Sequence, residues 1–160
     1  MESTTALVRA CQLGHLELCR YLITPELGQA DKDYLLRVAT LAKQPEVIGI
    51  LLDAGANVNT WDDWPLRTAA ENGASALVQL LIKAGADPNA WHAEALRAAA
   101  SQGHTVVVRL LLEAGARPAN QSILIEASRN GHVEIVKLLI ESRINTTSKD
   151  YVEITKLFAR

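Results

Sequence analysis

Five times along its 160 residues this chain returns to the same pattern, and that recurrence constrains the fold more than any other feature. Leucine stands at Leu7, Leu36, Leu66, Leu96 and Leu124, and three residues after each comes Ala10, Ala39, Ala69, Ala99 or Ala127. Four residues further on is glycine at Gly14, Gly73, Gly103 and Gly131, with Lys43 in that place in the second copy. An apolar segment follows every time, from "LELCRYLI" in the first copy to "VEIVKLLI" in the fifth. Units of about 30 residues are too small to bury an apolar face alone, so they must stack on one another.

Each copy reads as two short helices. The first is alanine-rich, which lets neighbouring backbones approach closely, and the glycine supplies the left-handed residue that ends a helix. The second carries Leu, Val and Ile at helical spacing, as at Leu77, Leu80 and Leu81. "DAGANVN", "KAGADPN" and "EAGARPA" then stop it, again with glycine just past the last turn.

These residues resemble ankyrin repeats, whose pattern is a turn, T-P-L-H-x-A-A, then G-H, then V-V-x-L-L-L, then G-A-x-V-N. "PLRTAAENG", "ALRAAASQGH", "GHVEIVKLLI" and "AGANVN" carry the likeness, which covers residues from about 4 to 143. It implies an all-α solenoid of about five repeats, near 4–30, 31–60, 61–90, 91–118 and 119–145, in one domain spanning 1–160. The copies run shorter than the usual 33 residues. The residues missing between Gly85 and Leu96 fall in the β-hairpin that projects from each repeat, so stubby loops and almost no strand are expected. The histidine of the T-P-L-H box is replaced by Val8, Arg37, Arg67, Arg97 and Ile125. Its capping threonine survives as Thr5 and as Ser122, and Asp62 or Asp63 is a substitute cap in the third copy. Beyond the last copy, "TTSKDYVEITKLFAR" reads as a helix over about 148–159, either a cap on the stack or the start of a sixth repeat.

Composition narrows the function. A formal net charge of −2, spread evenly, argues against a nucleic-acid or membrane-surface binder, and an aromatic content of 4% offers no base-stacking platform. The start "MESTTALVRACQLGH" lacks a signal-peptide pattern, and no apolar run is long enough to span a membrane. A cytoplasmic setting is expected. Cys11 and Cys19 do not make a disulfide framework and read as buried small thiols. His15, His104 and His132 recur at one place in their repeats, so stacking sets them roughly 10 Å apart, too far to share a metal ion. No phosphate loop, catalytic dyad or metal-ligand spacing is present, so no enzyme activity, cofactor or metal is expected.

What remains is recognition. In ankyrin repeats the loop residues and the exposed face of the first helix form the binding surface. The resemblance therefore nominates Trp61, Trp64, Trp91 and His92 in the loops. On the helices it nominates Glu71, Asn72, Ser101, Gln102, Arg129 and Asn130, each just before its terminating glycine. The tryptophans have two readings, as interface anchors or as packing that compensates for the lost hairpin. Arg37, Arg67 and Arg97 form a candidate anion-binding ladder, or else pack their stems and pair with Asp63, Glu71 or Glu94. The resemblance implies a protein partner bound by an adaptor, scaffold or inhibitor, with a monomer favoured over a homo-oligomer. The alternative is a structural protein that self-assembles through the tryptophan edge or the ends of the stack.

Overall fold

At each place where the apolar pattern returns, the backbone is helical. The structure is a computed structural model describing residues 2–117 and 122–142, and these residues hold ten helices and no strand. They are α1 (Glu2–Leu13), α2 (Leu16–Leu22), α3 (Gln29–Leu41), α4 (Pro45–Asp53), α5 (Thr60–Glu71), α6 (Ser75–Lys83), α7 (Ala90–Ser101), α8 (Thr105–Glu113), α9 (Ser122–Arg129) and α10 (Val133–Glu141). The architecture is an all-α helical repeat. The terminal helix expected over 148–159 lies outside the described residues.

The chain divides into two compact units, Met1–Ala69 with Ala76–Asp87, and Ala70–Ser75 with Pro88–Arg160. In the first unit α1 packs on α2 and α3, α3 packs on α4, and α2 packs on α4. In the second, α7 packs on α8 and α9, α9 packs on α10, and α8 packs on α10. Each unit thus repeats one rule: a helix meets its own hairpin partner and its equivalent in the next copy.

The sequence explains why that packing closes. The second helices bury three residues at spacing i, i+1, i+4, namely Val47, Ile48 and Leu51 in α4 and Val107, Val108 and Leu111 in α8. α6 and α10 do the same with Leu77, Val78 and Leu81 and with Ile135, Val136 and Leu139. On the first helices the recurring Leu–Ala pairs Leu36/Ala39, Leu66/Ala69, Leu96/Ala99 and Leu124/Ala127 are at most 2% exposed. Each buried leucine contributes roughly 1.5–3 kcal/mol. Each alanine keeps its side of the helix slim enough for a neighbour to approach.

Where glycine follows a helix, first or second in its copy, the end is closed in one way. After α4, α6 and α8 the chain turns at Gly55, Gly85 and Gly115, with φ of 91°, 93° and 90°. The amides of Ala56, Ala86 and Ala116 donate to the carbonyls of Leu51, Leu81 and Leu111, each at 2.9–3.0 Å, and the glycine amides to those of Leu52, Ile82 and Leu112. That double closure is the Schellman motif, which satisfies the carbonyls a helix end leaves unpaired. The first helices close alike, with His104 N–H donating to Ala99 at 2.9 Å and His132 N–H to Ala127 at 2.9 Å. Lys43 makes this turn at φ 54° with a side chain in place, a conformation costing a non-glycine residue roughly 1–2 kcal/mol.

At the end of the first helix the glycine has a second reason to be glycine. A Cβ added at Gly103 would stand 2.7 Å from His132 Cε1, one at Gly73 would stand 2.7 Å from His104 Nδ1, and one at Gly14 would stand 2.6 Å from Gln44 Oε1. Those side chains donate to the carbonyl two residues before the glycine they cover. His132 Nε2 reaches Ser101 O at 3.1 Å, His104 Nε2 reaches Glu71 O at 2.9 Å, and Gln44 Nε2 reaches Gln12 O at 3.1 Å. The recurrent G-H pair is therefore a lock between successive copies, with the glycine of one as the seat for the histidine of the next.

Two stability measurements follow. Lys43→Gly should stabilise by about 0.5–1 kcal/mol, because relief of the positive-φ penalty exceeds the added entropy of the unfolded chain. That amounts to roughly 1–4 °C in thermal midpoint. Gly103→Ala should cost about 2–3 kcal/mol in urea unfolding, and His132→Ala about 1 kcal/mol. The double variant should lose at least about 0.5 kcal/mol less than their sum, since the clash needs both side chains. Simple additivity would refute the seat.

Candidate interaction surface

Between the glycine ending one copy and the right-handed helix of the next, the shortened loop leaves little chain in which to turn. The third and fourth copies solve this with a left-handed turn. Trp61, Asp62 and Asp63 have φ of 55°, 58° and 56°, and Trp91, His92 and Ala93 have φ of 50°, 60° and 61°. Three successive non-glycine residues in this region cost roughly 3–6 kcal/mol per turn. The second copy avoids the turn, since α3 is right-handed from Gln29 and is entered from Gly28 at φ −56°. The preceding loop is tied down by the buried Lys32, whose Nζ donates to Pro25 O at 2.6 Å.

What holds the strained turns is a ladder of amide side chains. Asn89 Nδ2 donates to Gly115 O at 3.0 Å while its Oδ1 accepts the Arg117 amide at 2.7 Å. Asn59 does the same with Gly85 O at 3.5 Å and the Asp87 amide at 3.3 Å. Gln29 donates to Gly55 O at 3.1 Å, with Asp33 Oδ1 accepting the Asn57 amide at 2.8 Å. Ala93 is fully buried beneath its turn. Asp63 does not serve as a simple cap: its carboxyl accepts from the Asp87 amide, while burial, and then the charges of Asp87 and Asp62, push it above the usual carboxylate range. Sequence reasoning missed this ladder, although the asparagine closing "NVN" and "DPN" was its visible sign.

The turns aim large rings outward. Trp61 and Trp91 are each 61% exposed, His92 is exposed, and Trp64, at the start of the right-handed part of α5, is half-buried. In the second unit Glu71, Asn72, Gln102, Arg129 and Asn130 are exposed and Ser101 is half-buried. Two of these also serve the fold, since Asn130 Nδ2 and the His132 ring both donate to Ser101 O, at 3.0 and 3.1 Å. Arg129 and Asn130, with Ser122, Ile125 and Glu126, line an open groove of ≈ 510 Å³ along α9.

The three arginines share a register position but stand in different surroundings. Arg97 is held by Glu94, with Nε to Oε2 at 2.8 Å and Nη2 to Oε1 at 2.5 Å, and Glu126 lies 3.5 Å from Nη1. The Glu94 hydrogen bonds, and the charges of both carboxylates, fix its guanidinium in the charged form. Its charge is thereby answered within the chain. Arg67 is half-buried and makes no ion pair among the described residues. Arg37 lies 5.3 Å from the Tyr34 ring centroid and 5.4 Å from that of Trp61.

Cys11 on α1 and Cys19 on α2 are fully buried, with sulfurs 3.9 Å apart and unlinked. Burial first, then the neighbouring Cys19, pushes the Cys11 thiol up to about 12, and burial raises Cys19 as well. Among the described residues no group of three or more His, Cys, Asp or Glu is placed to hold a metal, and no helix is long and apolar enough to cross a membrane. Both thiols should resist Ellman's reagent in the native protein and react at the rate of unfolding. Because the folded pKa of Cys11 lies above the ordinary 9.0, its contribution to stability is intact below pH 9. That contribution falls as pH rises from about 9 toward 12. A Cys11→Ala variant should show a shallower alkaline loss in urea midpoint.

No curated protein matches the chain. A family model for ankyrin repeats, in three copies, matches residues 66–150, a stretch that takes in the seats at Gly73 and Gly103 and the left-handed turn at Trp91. With hairpins of paired helices packed first on first and second on second within each unit, the chain belongs to the ankyrin repeat family.

Proposed function

We propose that this chain is a non-catalytic recognition module, an adaptor, scaffold or inhibitor, that binds a partner protein through its loop turns and first helices. Ankyrin repeats are in general protein–protein interaction modules. The observation that carries the reading here is the exposure of Trp61 and Trp91, 61% each, on turns whose backbone conformation is unfavourable. A ring wanted only for packing would be covered, and a loop wanted only as a connection would not need six left-handed residues. Exposed aromatics on a preformed support are the usual anchors of protein interfaces, and a preformed support lowers the ordering cost of binding. The nominated residues His92, Glu71, Asn72, Gln102, Arg129 and Asn130 are exposed polar side chains of the second unit, of the kind that rims such anchors. Two unlinked thiols support a reducing, cytoplasmic setting.

The test is affinity capture with mass spectrometry, comparing wild type with the Trp61→Ala/Trp91→Ala variant. Specific partners should be lost while helix content and melting stay close to wild type. A variant that stays folded and keeps every partner would refute the assignment. A variant that melts markedly lower would make the rings packing residues. Light scattering over a concentration series addresses self-assembly: a mass that grows with concentration and reverts in the variant would favour a homo-oligomer over a foreign partner.

A further inference from the structure

We infer that the first unit carries a receptor for a protein carboxylate at Arg37, and that the partner segment it fits presents one Asp or Glu between apolar side chains. The inference rests on the recognition reading and names the chemistry of what is recognised. Tyr34, Arg37 and Leu41 fall at i, i+3 and i+7 on α3, which places them on one face. That face is not the core face, because Leu35, Leu36, Val38 and Ala39 are buried while Tyr34 is 38% and Leu41 60% exposed. Trp61 meets the same guanidinium from the left-handed turn, so its central carbon lies 5.3 Å from the Tyr34 ring centroid and 5.4 Å from that of Trp61. The surface is a cation framed by tyrosine, tryptophan and leucine.

The Arg37 cation has no salt-bridge partner among the described residues, whereas Arg97 at the same register is answered by Glu94 and Glu126. Arg37 Nε is buried and makes no hydrogen bond. Of its donors, only the terminal nitrogens are left for a ligand to reach. A planar guanidinium with two terminal nitrogens matches the two oxygens of a carboxylate. The flanking rings lower the local dielectric and leave apolar area for a ligand's neighbours to cover. A phosphate dianion fits less well, since Asp33 precedes Tyr34, Asp62 and Asp63 follow Trp61, and one arginine answers one negative charge.

The experiment is a side-chain NMR titration of the whole chain, following Arg37 Nε–H and the Trp61 indole N–H. The probe is N-acetyl-Leu-Glu-Leu-amide, carried up to about 10 mM to cover the weak affinity of a tripeptide. Both signals should move together and saturate. N-acetyl-Leu-Gln-Leu-amide should bind at least tenfold more weakly, and Arg37→Gln should lose the response to the glutamate peptide by the same factor. Arg97→Gln, a matched change at an arginine already paired, should bind as wild type and so reports that charge loss alone is not the cause. Circular dichroism of Arg37→Gln should match wild type; if that variant unfolds, the comparison of the two peptides on wild-type protein still decides. Equal binding of the two peptides, no saturating shift, or a stronger response to inorganic phosphate would overturn the inference. If Trp61→Ala/Trp91→Ala loses its captured partners while the glutamate peptide shows no preference at Arg37, recognition stands and the carboxylate receptor falls.

Discussion

The fold depends on a contact between a glycine and the copy that follows it. Gly73 and Gly103 take a backbone conformation that ends a helix, and the space left by their missing Cβ is occupied by His104 and His132. One residue thus performs two tasks that usually compete for sequence: it terminates an element locally and fixes the register of the next hairpin. Each lock includes one hydrogen bond worth about 1 kcal/mol, which is modest alone. Its force lies in repetition, because an array held only by neighbour-to-neighbour contacts is as strong as the sum of its junctions. The same geometry explains how Gln44 replaces histidine over Gly14, since any side chain with a donor at that reach can find the carbonyl of Gln12.

The asparagine ladder is the second recurring junction, and it stands beside the strain rather than apart from it. Asn59 and Asn89 immediately precede Thr60 and Ala90, the residues from which the left-handed turns are launched, and each side chain makes two bonds to the loop of the following copy. An αL residue is tolerated when its neighbours over-determine it. Here the amide ladder pins the entry, and buried Ala93 or the buried Pro65 pins the exit. Shortening the repeat did not remove the projecting loop so much as wind it tightly, and the ring at the start of that winding faces solvent.

Much of this was legible in the sequence. The period, the slim alanines beside Leu36, Leu66, Leu96 and Leu124 and the glycine stops follow from residue type and spacing, while the scarcity of strand followed from the resemblance to ankyrin repeats with shortened loops. The answer to Arg97 was legible too, because Glu94 lies three residues earlier on the same helix face. The left-handed turns were not. Nothing in "TWDDW" or "AWHAE" marks three successive αL residues, because the conformation is imposed by the distance the loop must close and not by local preference. Tyr34 and Leu41 escaped for another reason. The helix residues that the repeat pattern nominates stand just before a terminating glycine, and the second copy has Lys43 in that place, so nothing on α3 but Arg37 carries a mark.

The arginine register shows how an array of near-identical parts acquires a specific surface. Position and backbone are shared by Arg37, Arg67 and Arg97, so what distinguishes them is the company each copy supplies. Where the neighbours are Glu94 and Glu126, the cation is spent within the fold and contributes little beyond holding two copies together. Where they are Tyr34 and Trp61, it stands against two rings and makes no ion pair among the described residues. In a repeat fold the core residues must agree from copy to copy, because each junction reuses the same geometry. The side chains that differ between copies are under no such constraint, and in the first unit Arg37 with Tyr34 and Trp61 is the clearest case of that freedom.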